Sequence, residues 1–158
     1  MTALAKAMFW MACVFLVSCA SGPPRRVSEP TASIQQLTVR ADGSWSVDLR
    51  LQNYSSIPMR FEGVRLEVTM GETSAGTLQA QPRITIGPES ADVVTVAFEP
   101  ASGARIVLAD ALAGGRGVDY ALDGTIDAVP DDRGNVRSYE IERKSALSPV
   151  PGLPGVLR

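Results

Sequence analysis

Apolar and polar side chains alternate without a break along SWSVDLRLQN, residues 44–53. One set is Trp45, Val47, Leu49 and Leu51, and the other is Ser46, Asp48, Arg50 and Gln52. Successive side chains of a β-strand point to opposite faces of the sheet. The stretch is therefore predicted to be a strand of a sheet that packs on one face and meets solvent on the other.

Further strands are predicted on both sides of this one. Asp42-Gly43 lies between it and SIQQLTVR, residues 33–40, and an Asp-Gly pair in that place favours a β-hairpin. In IPMRFEGVRLEVTM, residues 57–70, the apolar positions change from odd to even across Glu62-Gly63. This change of phase predicts a β-bulge in which Gly63 takes unusual backbone angles.

The pattern changes once, at PASGARIVLADALAGG, residues 100–115. We expect one short, largely packed helix here, with Ser102 as its N-cap and Gly114 at its end. The glycine-rich AGGRG, residues 113–117, follows this helix, so it is interpreted as a helix end and loop and not as a phosphate-binding loop.

Period-two alternation returns in VDYALDGTIDAV, residues 118–129, with Tyr120, Leu122 and Ile126 predicted inward. We expect the inter-sheet core to include Leu49, Leu66, Val96 and Leu122. Short strands with one inserted helix favour a mainly β fold, an immunoglobulin- or fibronectin-III-like antiparallel β-sandwich of about seven strands.

Composition removes several classes of function. The 158 residues include no histidine and have a net charge of −2, with no basic block that would bind nucleic acid. The sequence shows no catalytic motif and no metal or cofactor motif. Asp119, Asp123 and Asp127 recur four apart on one strand face, about 13 Å from one to the next, which is too wide to share a metal ion. We expect a solvated face there.

Two further features leave alternatives open. Trp45 and Tyr54 could line a ligand groove, although core and edge packing explain them as well or better. The turn PDDRGN, residues 130–135, could contribute to a loose calcium site, but it lacks the ligand spacing of a dedicated loop.

The N-terminus has the features of a secretory signal. Lys6 precedes the apolar run from Ala7 to Val17, which is too short to span a bilayer comfortably. Leu16-Val17-Ser18-Cys19 resembles the lipobox of bacterial lipoproteins, and this implies cleavage before Cys19 and lipidation of its thiol. An ordinary cleaved signal or an uncleaved anchor is the alternative. Ala20 in place of Asp implies delivery to the outer membrane, facing the periplasm.

The chain is thus divided into a signal peptide at residues 1–18, a lipidated cysteine and flexible tether at 19–32, one sandwich domain at 33–147, and a proline-rich tail at 148–158. Cys13 and Cys19 both lie in the N-terminal segment, so the domain is expected to fold without a disulfide.

Residues 48–77, VDLRLQNYSSIPMRFEGVRLEVTMGETSAGT, are similar to the core of the late-embryogenesis-abundant (LEA) type 2 family, which carries the water-stress and hypersensitive-response (WHy) domain. The matching features are Asn53 at the end of the alternating strand, Ile57-Pro58, and Ala75-Gly76. Tyr54-Ser55 replaces the commoner Pro-Asn. DYALDGTI, residues 119–126, matches the family's aromatic-x-aliphatic-x-Gly strand, and the likeness extends over about residues 33–144.

This resemblance implies a two-sheet sandwich with one helix, an association with desiccation or other stress, and no active-site residue. The leading hypothesis is a non-catalytic, membrane-anchored lipoprotein that protects the cell envelope. The alternative is an immunoglobulin-like adaptor that binds another envelope protein by adding a strand at a sheet edge.

Overall fold

The computed structural model describes residues 25–131 and 134–158. Its elements in chain order are β1 (Thr31–Val39), β2 (Trp45–Gln52), β3 (Met59–Met70), β4 (Thr73–Ala80), β5 (Ile84–Ile86), β6 (Ala91–Phe98), α1 (Ser102–Ala113), β7 (Val118–Pro130), β8 (Arg137–Leu147) and β9 (Val156–Leu157).

The strands form two antiparallel sheets. The first has the order β6-β2-β1-β9, and the second has the order β4-β3-β7-β8, with β5 also paired to β3. Helix α1 connects β6 in the first sheet to β7 in the second. This confirms the predicted mainly β, sandwich-like class with one short helix. The described ranges contain nine strands and not about seven, because the short β5 and β9 each add a strand.

The core lies between the two sheets. Leu49, Leu66 and Leu122 are fully buried and Val96 is 8% exposed, so the predicted inward residues face the core. Trp45 also packs there, with its ring centroid 5.9 Å from that of Phe98. Of the two alternatives for Trp45, core packing is therefore the one observed, because the residue is only 1% exposed.

Three β-bulges interrupt the strand pairing of the described residues, at Glu62 in β3, at Gln35 in β1 and at Ala75 in β4. The pairing of β3 with β7 skips Glu62, which confirms the predicted bulge. Gly63 does not have a positive φ, so the prediction of unusual angles there is wrong. Glu62 is the extra residue, and its carboxylate pairs with Arg60 at 2.7 Å. A second bulge, at Gln35 in β1, is a feature that the sequence pattern did not predict.

Helix α1 differs from its prediction at one end and on one face. Its N-cap is Ala101 and not Ser102, and the Ala101 N–H donates to the Ala75 carbonyl of β4 at 2.9 Å. That contact fixes the start of the helix against a strand edge, and no side chain caps the helix. The helix buries Ala104, Leu108 and Ala111, whereas Ile106 is 69% exposed, so the helix packs through one face only. It ends at Gly114, as predicted.

The two ends of the described domain are both paired. β1 begins at Thr31, two residues before the predicted start of the domain at residue 33. At the other end, β9 pairs with Leu37 and Thr38 of β1, and the Val39 N–H donates to the Gly155 carbonyl at 2.8 Å. The proline-rich tail thus returns to the edge of the first sheet.

One tyrosine hydroxyl connects the two sheets. The Ile34 N–H of β1 donates to the Tyr120 hydroxyl of β7 at 3.1 Å, and Tyr120 is 3% exposed. Tyr120→Phe should lower the free energy of unfolding by about 1–2 kcal/mol, because it leaves a buried N–H without its acceptor.

Tyr139→Phe is the matched control for this prediction. The Tyr139 hydroxyl is buried without a hydrogen-bond partner among the described residues, so its removal should be neutral or slightly stabilising. Urea unfolding monitored by tryptophan fluorescence compares the two variants. Equal losses of stability in both would contradict a role for the Ile34–Tyr120 hydrogen bond.

Candidate functional site: the end where the N-terminal chain enters

Asn53 is the centre of one end of the sandwich. It follows β2 directly and is completely buried. Its Nδ2 group donates to the carbonyl oxygens of Ile57, Ile86 and Gly87 at 2.9, 3.1 and 2.9 Å, so its two hydrogens are shared among three acceptors. The side chain thereby holds the β2–β3 loop against the segment that follows β5.

Ser55 extends this network to the N-terminal chain. Its N–H donates to Asn53 Oδ1 at 2.8 Å, and its buried hydroxyl accepts from the Ser28 N–H at 2.9 Å. Ser55 occupies part of the Tyr54-Ser55 pair that departs from the commoner family pattern. The departure has a structural use here, because this serine attaches the segment at residues 25–30, which we call the lead-in.

The lead-in makes further contacts with the same loop. Arg26 and Ser56 exchange main-chain and side-chain hydrogen bonds, with the Ser56 N–H donating to the Arg26 carbonyl at 2.9 Å. Arg26 also pairs with Glu89 at 3.1 Å, and Arg25 pairs with Asp131. From Arg25 onward, the predicted flexible tether is therefore docked on the domain. Sequence reasoning missed this because the contacts join segments 27 or more positions apart.

Several side chains of the lead-in and of the loops beside it are exposed. Val27 is 42% exposed and Tyr54 is 49% exposed. Arg26 and Glu89 keep most of their side-chain surface in solvent, at 62% and 67%. This end of the sandwich combines charge with a partly exposed aromatic ring, and the chain toward the N-terminus leaves from it.

The single predicted modification site, Cys19, lies outside the described residues, as does the predicted signal peptide at residues 1–18. Among residues 25–131 and 134–158, no helix is both long enough and apolar enough to cross a bilayer. The same ranges contain no group of three or more acidic, cysteine or histidine side chains arranged to hold a metal ion.

The predicted row of aspartates lies on the outer face of the second sheet. Asp119 and Asp123 are exposed and Asp127 is half-buried. Asp123 is directly opposite Glu67 on β3 and Glu142 on β8, so three carboxylates cross three neighbouring strands. Like charges in this arrangement repel, which favours their exposure to solvent, as expected for a solvated face.

The Asp42 carboxylate stabilises the turn between β1 and β2. Hydrogen bonds from the Ser44 hydroxyl and N–H, at 2.6 and 2.9 Å, hold the pKa of the Asp42 carboxyl below its usual value. Gly43 follows with a φ of 84°, as the predicted Asp-Gly turn requires. This charged group therefore fixes a turn and does not point to chemistry.

Comparison with known proteins identifies the pattern of the whole domain. Residues 48–140 match the family model described as late embryogenesis abundant protein. No curated protein sequence is similar enough to this chain to count as a match. Several solved structures align with this chain.

The solution structure of a candidate late embryogenesis abundant protein aligns with a TM-score of 0.50 at 15% identity, covering 96% of this chain and 87% of that one. A solution structure from Arabidopsis thaliana aligns with a TM-score of 0.48 at 11% identity, covering 85% and 89% of the two chains. A crystal structure from Archaeoglobus fulgidus gives 0.43 at 14% identity, covering 79% and 98%.

Proposed function

Because this chain belongs to the late embryogenesis abundant type 2 family, whose members are generally non-catalytic, we propose that it is a stress-protection protein held at the cell envelope by a lipid on Cys19. The observation that carries the proposal is the family match over residues 48–140. The position of Cys19 after Leu16-Val17-Ser18 supports the anchor.

The use of the buried polar groups supports a non-catalytic role. The buried polar side chains of the described ranges are Ser44, Asn53 and Ser55. Each of them hydrogen-bonds to a turn, to a loop or to the lead-in. Catalytic groups are usually held ready for a substrate in a cleft, with a base or an oxyanion donor beside them. These three side chains are instead occupied in holding the fold together.

The docked lead-in defines how the domain would sit on a membrane. Arg25 follows Cys19 by six positions, and six extended residues reach about 20 Å at most. A lipid on Cys19 would keep the end with Asn53 and the lead-in next to the bilayer. The exposed Tyr54 ring lies at that end, and aromatic rings favour the membrane–water interface.

In this orientation both outer sheet faces extend away from the bilayer. They carry polar and charged side chains such as Arg50 of β2 and Glu142 of β8. When water activity falls, these hydrated faces would separate the membrane or a client protein from neighbouring surfaces. The lipid would concentrate this shielding where drying damages the envelope, and two acyl chains are enough for stable attachment.

Replacement of Cys19 tests the anchor, and Cys13 provides a matched control in the same segment. Cys19→Ala should leave the full-length precursor unprocessed, whereas Cys13→Ala should yield a mature chain that begins at an acylated Cys19. Mass spectrometry of the membrane fraction measures both. A wild-type mature N-terminus at any other residue would contradict the proposal.

Survival of drying distinguishes protection from the adaptor alternative. Cells that express the wild-type chain should outlive cells that express Cys19→Ala after desiccation and rehydration. An adaptor would instead bind one envelope protein in a fixed ratio without affecting survival. Crosslinking in intact cells followed by mass spectrometry measures that second outcome.

A further inference from the structure

The four sheet edges differ in how they are protected from pairing with another chain. At the edge of the second sheet, β8 carries Glu140, Glu142, Arg143 and Lys144. On the opposite edge, the Ala75 carbonyl of β4 accepts from Ala101 at the start of α1. In the first sheet, β9 is only two residues long and follows a proline-rich segment. Charge, cover, shortness and proline all discourage strand addition.

β6 is the exception. It occupies the other edge of the first sheet and has a hydrogen-bonded neighbour, β2, on one side only within the described part of the chain. Its sequence is ADVVTVAF, which is rich in β-branched residues and has a single charge, at Asp92. An eight-residue, nearly uncharged edge of this composition readily pairs with another strand.

The main-chain groups of β6 that point outward can be assigned. The Val93 N–H donates to the carboxylate of Asp92 at 2.8 Å, so it is directed away from β2. Main-chain groups of a strand alternate between its two sides with period two. The N–H and C=O groups of Thr95 and Ala97 therefore face the same open side as those of Val93.

We propose that β6 pairs antiparallel with β6 of a second copy of this chain, around a twofold axis at Thr95. The outward groups of Thr95 then bond to those of Thr95 in the partner subunit. Val93 and Ala97 of the partner subunit bond to each other, as do Ala97 and Val93 of the partner subunit, and each Val93 N–H exchanges the Asp92 carboxylate for a main-chain carbonyl oxygen. A contact of this kind uses the same surface twice and closes after two copies.

This register is self-complementary. The cross-strand pairs are Thr with Thr, Val94 with Val96, and Val93 with Ala97, all of them uncharged. Asp92 is placed opposite Phe98 of the partner subunit and not opposite a second carboxylate. Cross-strand pairs of threonine and of β-branched residues stabilise a sheet, whereas like charges directly opposite destabilise it. The proposal does not depend on the lipid anchor.

Photo-crosslinking tests the contact in the full-length chain. Two copies with different C-terminal tags are co-expressed in bacterial cells, with a photoreactive phenylalanine analogue at position 95 or, as the control, at position 46. Ser46 lies on the same outer face but on the central strand β2. Position 95 should give a product that contains both tags, and position 46 should not.

Two substitutions provide a second measurement. Thr95→Lys should preserve the monomer because it is opposite Asp48 of β2, yet it places two lysines together on the twofold axis. When one copy is purified through its tag, the amount of the other copy that co-purifies should fall about fivefold for Thr95→Lys and should not change for Ser46→Lys. Crosslinks at position 95 to a different protein, no crosslink at all, or equal recovery from Thr95→Lys and Ser46→Lys would overturn the proposal.

Discussion

Replacing Gly124 with alanine is expected to lower the free energy of unfolding by about 2–6 kcal/mol, a large part of the roughly 5–15 kcal/mol that holds a domain folded. Gly124 lies in the middle of β7, paired with Leu66 on one side and Ile141 on the other. Its φ is 152°, a backbone angle that residues other than glycine rarely adopt. Strain of this kind costs about 1–3 kcal/mol by itself.

Steric overlap adds to that strain. A Cβ atom on Gly124 would overlap the Arg65 carbonyl oxygen and lie 3.1 Å from the Leu66 Cα. Both atoms belong to the main chain of β3, so relief requires movement of a central strand. Overpacking of a core typically costs a further 1–3 kcal/mol or so.

Gly63→Ala is the control for this prediction. Gly63 lies on the neighbouring β3, and its φ is not positive. A Cβ there would meet the flexible Asp127 carboxylate at 3.4 Å, an ordinary contact. We expect a change within about 1 kcal/mol, as for other compatible Gly→Ala replacements. Urea midpoints of the two variants decide the matter, and equal midpoints would mean that β3 moves away from Gly124 at little cost.

Gly124 also shows what a sequence pattern can and cannot predict. The family pattern of an aromatic residue, an aliphatic residue and a glycine matches Tyr120, Leu122 and Gly124 in the amino-acid sequence alone. The pattern does not contain the reason for the glycine, which is the close approach of the main chain of β3. That reason depends on a strand more than fifty positions away, and no local pattern contains it.

The other predictions about the fold are confirmed where they depend on local sequence, and they are wrong where they depend on contacts with distant segments. Alternation places Leu49 and Leu66 in the core because the face of a strand residue follows from its own position. Ser102 is the wrong N-cap because the helix begins one residue earlier than predicted, where the Ala101 N–H donates to Ala75 of β4, a strand that the sequence does not place beside the helix. In β1, Ile34 and Leu37 are three positions apart, and both are buried. Strict alternation would place them on opposite faces of the sheet. The bulge between them brings both residues to the inner face.

The docked lead-in was hidden for a related reason. Ser55 and Ser28 are 27 positions apart, and both lie in stretches without periodicity. Small polar residues in such stretches usually indicate a solvated loop. Only the folded chain shows that the Ser55 hydroxyl is buried and holds the segment that leads toward Cys19.

The other large effect is expected at Asn53, where Asn53→Asp should cost about 3–5 kcal/mol at neutral pH. The introduced carboxylate would face the carbonyl oxygens of Ile57, Ile86 and Gly87, which would all lose their donor. Each buried polar group left unsatisfied costs about 1–3 kcal/mol, and an unpaired buried charge costs more.

The pH dependence of this variant has a definite sign. Burial and the three carbonyls favour the protonated carboxyl, so the pKa of the introduced group is higher in the folded state than in the unfolded state. The folded protein then binds more protons, and its stability falls as pH rises through that range. Relative to the wild type, Asn53→Asp should therefore regain part of its stability between pH 7 and pH 5, the opposite of ordinary acid denaturation.

Gln52→Glu makes the same chemical change one position earlier and serves as the control. Gln52 is half-buried, and Arg50 donates to its Oε1 at 2.7 Å, so a carboxylate there gains a cation as its partner. We expect a change of about 1 kcal/mol or less. Urea unfolding of both variants at pH 5 and pH 7 makes the comparison. If Asn53→Asp lost no more stability than Gln52→Glu, the amide of Asn53 would not be what holds the β2–β3 loop and, through Ser55, the lead-in.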